Sequence, residues 1–206
     1  MTTLFEKISP QPLADRVRPN KLSDIFGQDH LLGKQGPIAH MINTKNFSST
    51  IFWGPPGSGK TTIANLLAKL TDYHIESLSA VFSGVSDLKN IFQKAQKRRE
   101  SGIGTLLFVD EIHRFNRSQQ DSFLPYVERG TIILFGATTE NPSFEINSAL
   151  LSRCQVLVLR RLDKEALEKI LKRAEEVLKK KLNLDEDARH ALLDICDGDG
   201  RHLLNF

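Results

Sequence analysis

Five short runs rich in apolar and β-branched residues punctuate the chain, and each ends in a polar or glycine-rich break. They are "SSTIFW" (Ser48–Trp53), "HIESL" (His74–Leu78), "TLLFVDE" (Thr105–Glu111), "TIILFGATTEN" (Thr131–Asn141) and "QVLVL" (Gln155–Leu159). Their length and composition predict strands. Between them the period changes. "TTIANLLAKL" places Ile63, Leu66, Leu67 and Leu70 at helical spacing, and "SDLKNIFQKAQKRRE" places Leu88, Ile91, Phe92 and Ala95 on one face. Strands apolar along their whole length are buried on both faces. The pattern therefore predicts an α/β fold in which a parallel sheet carries helices on both sides.

The pattern shifts again after Arg160–Arg161. "DKEALEKILKRAEEVLKKK" predicts a charged amphipathic helix with Leu167, Ile170, Leu171, Ala174 and Leu178 along a stripe. A second helix is expected from Asp185 to Cys196, with Asp185 as its cap. Residues 1–160 thus read as a nucleotide-binding core with an N-terminal arm, and residues 161–206 as the start of a small all-helical lid. The arm, up to Gly27, is broken by Pro10, Pro12 and Pro19 and reads as extended. The last residues, "GDGRHLLNF", stop inside a helical pattern without a terminator, which reads as a piece of a longer protein. There is no internal repeat and no low-complexity segment.

Composition narrows the function classes. The chain has 206 residues, 40% of them hydrophobic and 26% charged, values ordinary for a globular protein. A net charge of +3 permits nucleic-acid binding without arguing for it. The two cysteines, Cys154 and Cys196, form no CxxC pair and no Cys/His cluster, so they read as reduced thiols and not as zinc ligands. The N-terminus lacks the apolar core of a secretory signal, and no run reaches the roughly 18 apolar residues of a membrane helix. A cytoplasmic protein is expected.

The candidate chemistry follows the strands. "WGPPGSGKTT" sits between a predicted strand and a predicted helix and fits the pattern G-x-x-x-x-G-K-[ST]. Gly54, Pro55, Pro56, Gly57, Ser58 and Gly59 form a loop whose N–H groups can curl around phosphates, helped by the partial positive charge of the helix that follows. Lys60 is expected to reach the β- and γ-phosphates, Thr61 to bind Mg²⁺ through its hydroxyl, and Thr62 to continue the loop into the helix. The strand "LLFVDE" ends in Asp110, a second Mg²⁺ ligand, and Glu111, a general base for an attacking water. A kinase needs a place for a second substrate's hydroxyl, whereas paired Asp and Glu suit hydrolysis. "GATTEN" ends another central strand, where Thr138, Thr139 and Asn141 are all candidates to sense the γ-phosphate. Arg153, in "LLSRC", is expected on the far side of the protomer, in reach of a neighbour's phosphates.

Together these residues resemble the AAA+ ATPases, and within them the clamp-loader-like branch. "RVRPNKLSDIFGQDHLLG" (Arg16–Gly33) is similar to that branch's N-terminal arm, which packs on the adenine, and so implicates Arg18 and Ile25. "SRC" resembles its arginine-finger box, and "GDGR" its second-sensor helix, with Arg201 turned to the γ-phosphate in cis. "HRFNRSQQD" and "GATTENPSF" resemble the replication-associated recombination protein A family and its eukaryotic relative, the Werner-helicase-interacting ATPase. The resemblance runs from Gln11 to Asn205. It implies ATP and Mg²⁺ as cofactors and DNA-dependent ATP hydrolysis at stalled forks and single-strand/double-strand junctions. It also implies association with the nucleoid, a homo-oligomer, and single-strand-binding protein as a partner.

Two departures qualify it. The family pattern has alanine where this chain has Gly200, a change expected to loosen the start of the lid helix by about 1 kcal/mol relative to alanine. The family also continues past this point into a C-terminal oligomerisation region, so the resemblance does not carry assembly, or trans action of Arg153, over to the chain as given. Two other readings stay open: a branch-migration motor, which shares "DEIHR" and "GATT", and an ATP-binding scaffold that does not hydrolyse. For DNA, Phe82 in "SAVFSGVS" is a candidate to stack on a base or to pack in the core, and Lys94, Lys97, Arg98 and Arg99 are candidate phosphate contacts. His113 and Arg114 carry no assigned chemistry and begin a helix.

Overall fold

The computed structural model describes residues 11–206. Its centre is a five-stranded sheet in the order β2-β3-β4-β1-β5, parallel throughout. The strands are β1 (Thr50–Trp53), β2 (His74–Ser79), β3 (Thr105–Asp110), β4 (Ile132–Thr138) and β5 (Gln155–Val158). All five predicted strands form: β3 and β4 stop before their polar tails, β1 starts two residues later, β5 ends one residue earlier, and β2 runs one residue longer, to Ser79. Those tails carry the chemistry, because they emerge together at the carboxyl edge of the sheet.

Alternation along the strands splits the core in two. Phe52, Leu106, Phe108, Phe135 and Leu157 face one side, where they pack with Ile38, Met41, Ile63 and Leu67 from the helices Pro37–Thr44 and Lys60–Ala68. Ile51, Leu107, Val109 and Leu134 face the other, against Leu88, Ile91, Phe92 and Ala95 of the helix Val85–Glu100. Residues i and i+1 of a strand point to opposite faces, so a strand filling both layers reads as continuously apolar. Leu70, placed on the helical stripe by spacing, lies past the end of its helix and is 54% exposed.

The lid has its own small core of Leu162, Ala166, Leu167, Leu171, Leu193, Cys196 and Leu203. Its helices are Lys164–Leu178, Glu186–Ile195 and Gly200–Leu203. Asp163 caps the first by accepting from the Ala166 N–H, and Asp185 caps the second by accepting from the Ala188 N–H at 2.7 Å. The half-buried Arg189 joins the first two helices by donating to Glu168 and Glu175. Among the described residues, no helix is long and apolar enough to cross a membrane.

The arm departs from the expectation of an extended segment. It forms a helical turn at Leu13–Arg16 and a 3-10 turn at Leu22–Asp24. Pro12, with φ −52°, starts the first turn, where a missing N–H costs nothing, and Pro19 prevents its continuation. Pro10 and the residues before it lie outside the described residues. Phe26 of the arm packs into the lid's core, so the arm spans both units and not the core alone.

Candidate functional site

The phosphate loop hangs from the end of β1. Gly57 and Gly59 take φ of +65° and +100°, backbone that side-chain-bearing residues rarely adopt. Gly59 then caps the helix Lys60–Ala68, so the loop ends at a helix N-terminus. Lys60 is buried, and its Nζ donates to the Gly54 and Pro55 carbonyls at 2.8 Å each. Burial lowers its pKa; the Glu111, Asp110 and Asp199 carboxylates oppose that, and Arg201 adds to it. One lysine thus feels three carboxylates and an arginine drawn from the second strand motif and the lid.

These groups line a cavity of about 420 Å³. Its floor is Pro56–Thr62; Asp110, Glu111 and Thr139 form one wall; Arg18, Ile25 and Phe26 of the arm lie at another; Asp199, Gly200 and Arg201 of the lid close it. Of the residues expected at the nucleotide, Gly54 and Pro55 do not line the cavity and act through their carbonyls on Lys60. Glu111 has φ +53° and ψ +46°, the left-handed region, which for a non-glycine residue stores about 1–3 kcal/mol and is typical of functional positions.

The three sensor candidates separate. Thr139 lines the cavity. Thr138 is fully buried, its Oγ1 within 2.9 Å of His113 Nδ1 and accepting from the Glu140 N–H at 3.0 Å. Asn141 is not among the lining residues, and its side chain caps the turn Pro142–Glu145 by accepting from the Ser143 N–H at 3.0 Å. Arg153 also lies off the cavity. It is paired with Glu128 at 2.6 Å and donates to the Ala149 carbonyl at 2.6 Å.

Three residues that lie in the quoted motifs, with no role assigned to them there, complete the site: Gln28, Asp199 and Gln120. Gln28 is fully buried, and its Nε2 donates to the Arg160 carbonyl at 2.8 Å and the Ser58 carbonyl at 3.3 Å while its Oε1 accepts from the Arg160 N–H at 3.0 Å. One amide therefore joins the arm, the phosphate loop and the hinge to the lid. Asp199 caps the last helix by accepting from the Arg201 and His202 N–H groups at 2.8 and 2.9 Å, which aims that turn at the phosphate loop. Gln120 donates to the Phe115 and Glu145 carbonyls at 2.9 and 3.0 Å and accepts from the Asn147 N–H at 2.7 Å. It thereby ties the segment after β3 to the segment leading to Arg153. A buried amide with both ends used is visible only when its partners, distant in sequence, are placed beside it.

Gly200 stands where the lid meets the phosphate loop. A Cβ there would sit 3.1 Å from both Ile170 Cδ1 and Leu162 Cδ1 and 3.3 Å from the Gly57 carbonyl. The glycine is the first residue of its helix, Gly200–Leu203, and lets the lid approach the loop closely. The basic cluster also divides. Arg98, half-buried, donates to Glu76 at 2.6 Å, and Arg99, though exposed, donates to Thr131 at 2.9 Å, tying both to the protein's own fold, whereas Lys94 and Lys97 are exposed. Phe82 is not in the core: it is 88% exposed, beside the exposed Val81 and Val85. His113 and Arg114 lie in a 3-10 turn, Ile112–Arg114.

A glycine loop with its lysine, a strand ending in Asp-Glu, and a helical lid closing over both define a P-loop nucleotide-binding ATPase module. Residues 50–162 match the model of the ATPase family associated with various cellular activities (AAA), and the chain belongs to that family. It is 50% identical, over 95% of its length, to replication-associated recombination protein A of Coxiella burnetii, of which it covers 45%. It is 48% identical, over 98% of its length, to ATPase WRNIP1 of Dictyostelium discoideum, of which it covers 24%. The chain thus spans less than half the length of these relatives. In fold it is similar to the Thermotoga maritima RuvB Holliday junction branch migration motor, with a TM-score of 0.73 at 24% identity, over 92% of this chain and 63% of that one.

Proposed function

We propose that the chain is the nucleotide-hydrolysing module of a DNA-dependent ATPase that remodels single-strand/double-strand junctions during replication-fork maintenance and recombination. The observation that carries the hydrolytic part is the convergence of Lys60, Asp110, Glu111 and Arg201 on one cavity closed by the arm and the lid. The 50% identity to a replication-associated recombination protein supports the DNA part.

In this reading the arm, through Arg18 and Ile25, holds the base, and the loop from Pro56 to Thr62 holds the phosphates. Lys60 leaves the Gly54 and Pro55 carbonyls to meet the β- and γ-phosphates. Thr61 and Asp110, a hydroxyl and a carboxylate that both line the cavity, suit Mg²⁺, a hard cation that takes oxygen ligands. That ion, when bound, neutralises phosphate charge. Glu111 orients the attacking water and accepts its proton, and Thr139 and Arg201 hold the γ-phosphate. Arg153, outside its own cavity, serves a neighbour's phosphate in a homo-oligomer. The module works at the nucleoid, with DNA and single-strand-binding protein as partners. Exposed Phe82, Lys94 and Lys97 supply stacking and phosphate contacts.

Steady-state ATP hydrolysis by the purified chain, with and without forked DNA and with Glu111→Gln as the blank, tests this. DNA-stimulated turnover that the blank lacks is the expected result. Failure to bind ATP would sink the whole reading. The placement of Arg153, paired with Glu128 away from the cavity, favours one alternative. The isolated chain would then be an ATP-binding scaffold, and tight ATP binding without turnover, with or without DNA, would mark it.

A further inference from the structure

The turn after Glu111 holds a histidine that the hydrolytic reading does not use. His113 has a side chain only 7% exposed. Its Nδ1 lies 2.9 Å from Thr138 Oγ1 and 3.3 Å from Glu111 Oε2. Thr138 is fully buried at the end of β4, and the next residue, Thr139, lines the cavity. Glu111 directly follows β3 and Thr138 ends the neighbouring strand β4, and one ring nitrogen lies close to both.

A neutral imidazole carries one proton, so Nδ1 is either a donor or an acceptor. The surroundings accommodate both states. With the proton on Nδ1, the ring N–H faces Thr138 Oγ1 at 2.9 Å and the Glu111 carboxylate at 3.3 Å, and the Thr138 hydroxyl donates to the Glu140 carbonyl, 3.2 Å away. With the proton on Nε2, the Thr138 hydroxyl turns to donate to the bare Nδ1, and Glu111 no longer faces an N–H of the ring. Thr138 keeps accepting from the Glu140 N–H in either case. No charge changes between the two arrangements, and both leave the Thr138 proton with an acceptor.

We propose that His113 is a positioning residue that aims the Glu111 carboxylate and ties that aim, through Thr138, to the end of β4. The strand that presents Thr139 to the phosphates then also decides whether the general base is held or released. This rests on the reading of Glu111 as the base.

The test compares His113→Leu, His113→Asn and His113→Gln in the full chain, by single-turnover ATP hydrolysis and by nucleotide affinity. Asparagine can place an amide N–H where Nδ1 stands; glutamine reaches to the Nε2 position. The leucine variant should lose about 10- to 100-fold in hydrolysis, the scale seen when a residue supporting a functional group is removed, with ATP affinity unchanged. Asparagine should restore most of the rate and glutamine should not. In a Glu111→Gln background all three should have no further effect, because they act through that carboxylate. Normal turnover in His113→Leu, or an undiminished loss in the Glu111→Gln background, would overturn the proposal.

A second measurement does not need turnover or a folded leucine variant. The ¹⁵N shifts of the His113 ring should move on Glu111→Gln and on Thr138→Val. Shifts unmoved by both would also overturn the proposal. If the unsubstituted chain hydrolyses no ATP while these shifts do move, the hydrolytic reading fails and the contact stands.

Discussion

Arg173, on the first lid helix, holds Asp24 of the arm at 3.1 Å (Nη1 to Oδ2) and donates from Nε to the Val17 carbonyl at 3.0 Å. Both members of the pair are largely enclosed, at 22% and 27% exposure, and both line the nucleotide cavity. The arm and the lid are therefore fastened to each other as well as to the core. Removing the guanidinium leaves a carboxylate and a carbonyl without their donor. Arg173→Ala should destabilise arm–lid docking by about 1.5–3 kcal/mol, the range for a charge-assisted hydrogen bond. Urea denaturation should show the loss, with weaker ATP binding by titration; unchanged values in both would mean the latch carries no energy.

Gln28 makes a sharper demand. Its Nε2 faces two carbonyl oxygens and its Oε1 faces an N–H. Gln28→Glu keeps the shape but turns an oxygen toward those carbonyls, burying a charge against two acceptors. It should destabilise the chain more than Gln28→Leu does at neutral pH, and the difference should shrink on acidification, as the carboxyl regains a proton to donate. Thermal melts of both variants across pH would show this, and equal melting temperatures at neutral pH would count against the amide's role.

Lys60 and Glu111 should separate binding from chemistry. Lys60→Ala removes the charge that meets the phosphates and should weaken ATP binding at least about tenfold; each tenfold corresponds to about 1.4 kcal/mol. Glu111→Gln should bind ATP normally and slow hydrolysis by about 10²- to 10⁴-fold, the scale of general-base catalysis. Isothermal titration and single-turnover kinetics distinguish the two, and a reversed assignment of effects would refute the site.

The lid should loosen in acid. The hydrogen bond from Arg189 holds the Glu168 carboxyl below its usual range. Burial pushes Glu175 up, but hydrogen bonds from Arg189 and the Leu182 N–H outweigh it, and its pKa is lowered as well. A carboxyl whose pKa is depressed by folding adds stability that is full above its unfolded value of 4.5 and is lost as pH falls below that value toward the folded one. Protection of the lid amides from hydrogen exchange, taken relative to the intrinsic exchange rate at each pH, should therefore fall below about pH 4.5, and less so in Arg189→Met, which has lost the bonds that depress the two carboxyls.

The strands, their parallel sheet and the phosphate loop were legible from the sequence because each rests on local pattern. Continuous apolar runs require burial on both faces, and two glycines beside a lysine suit a loop with positive φ. Asp110 and Glu111 were legible for the same reason, as the polar end of a buried strand. Only tertiary structure decided what lies across the cavity. Thr138, Thr139 and Asn141 are near-equivalent in sequence, yet one is bonded to His113, one faces the cavity and one caps a turn. Arg98 and Arg99 look the same as Lys94 and Lys97 along the helix, but β2 and Thr131 claim the two arginines. Arg173 lies in no motif, and the motif that contains Gln28 gives that residue no partner, because their partners stand 156 and 132 residues away along the chain. A side chain's chemistry is written in its type; its role depends on which distant groups folding brings within about 3 Å of it.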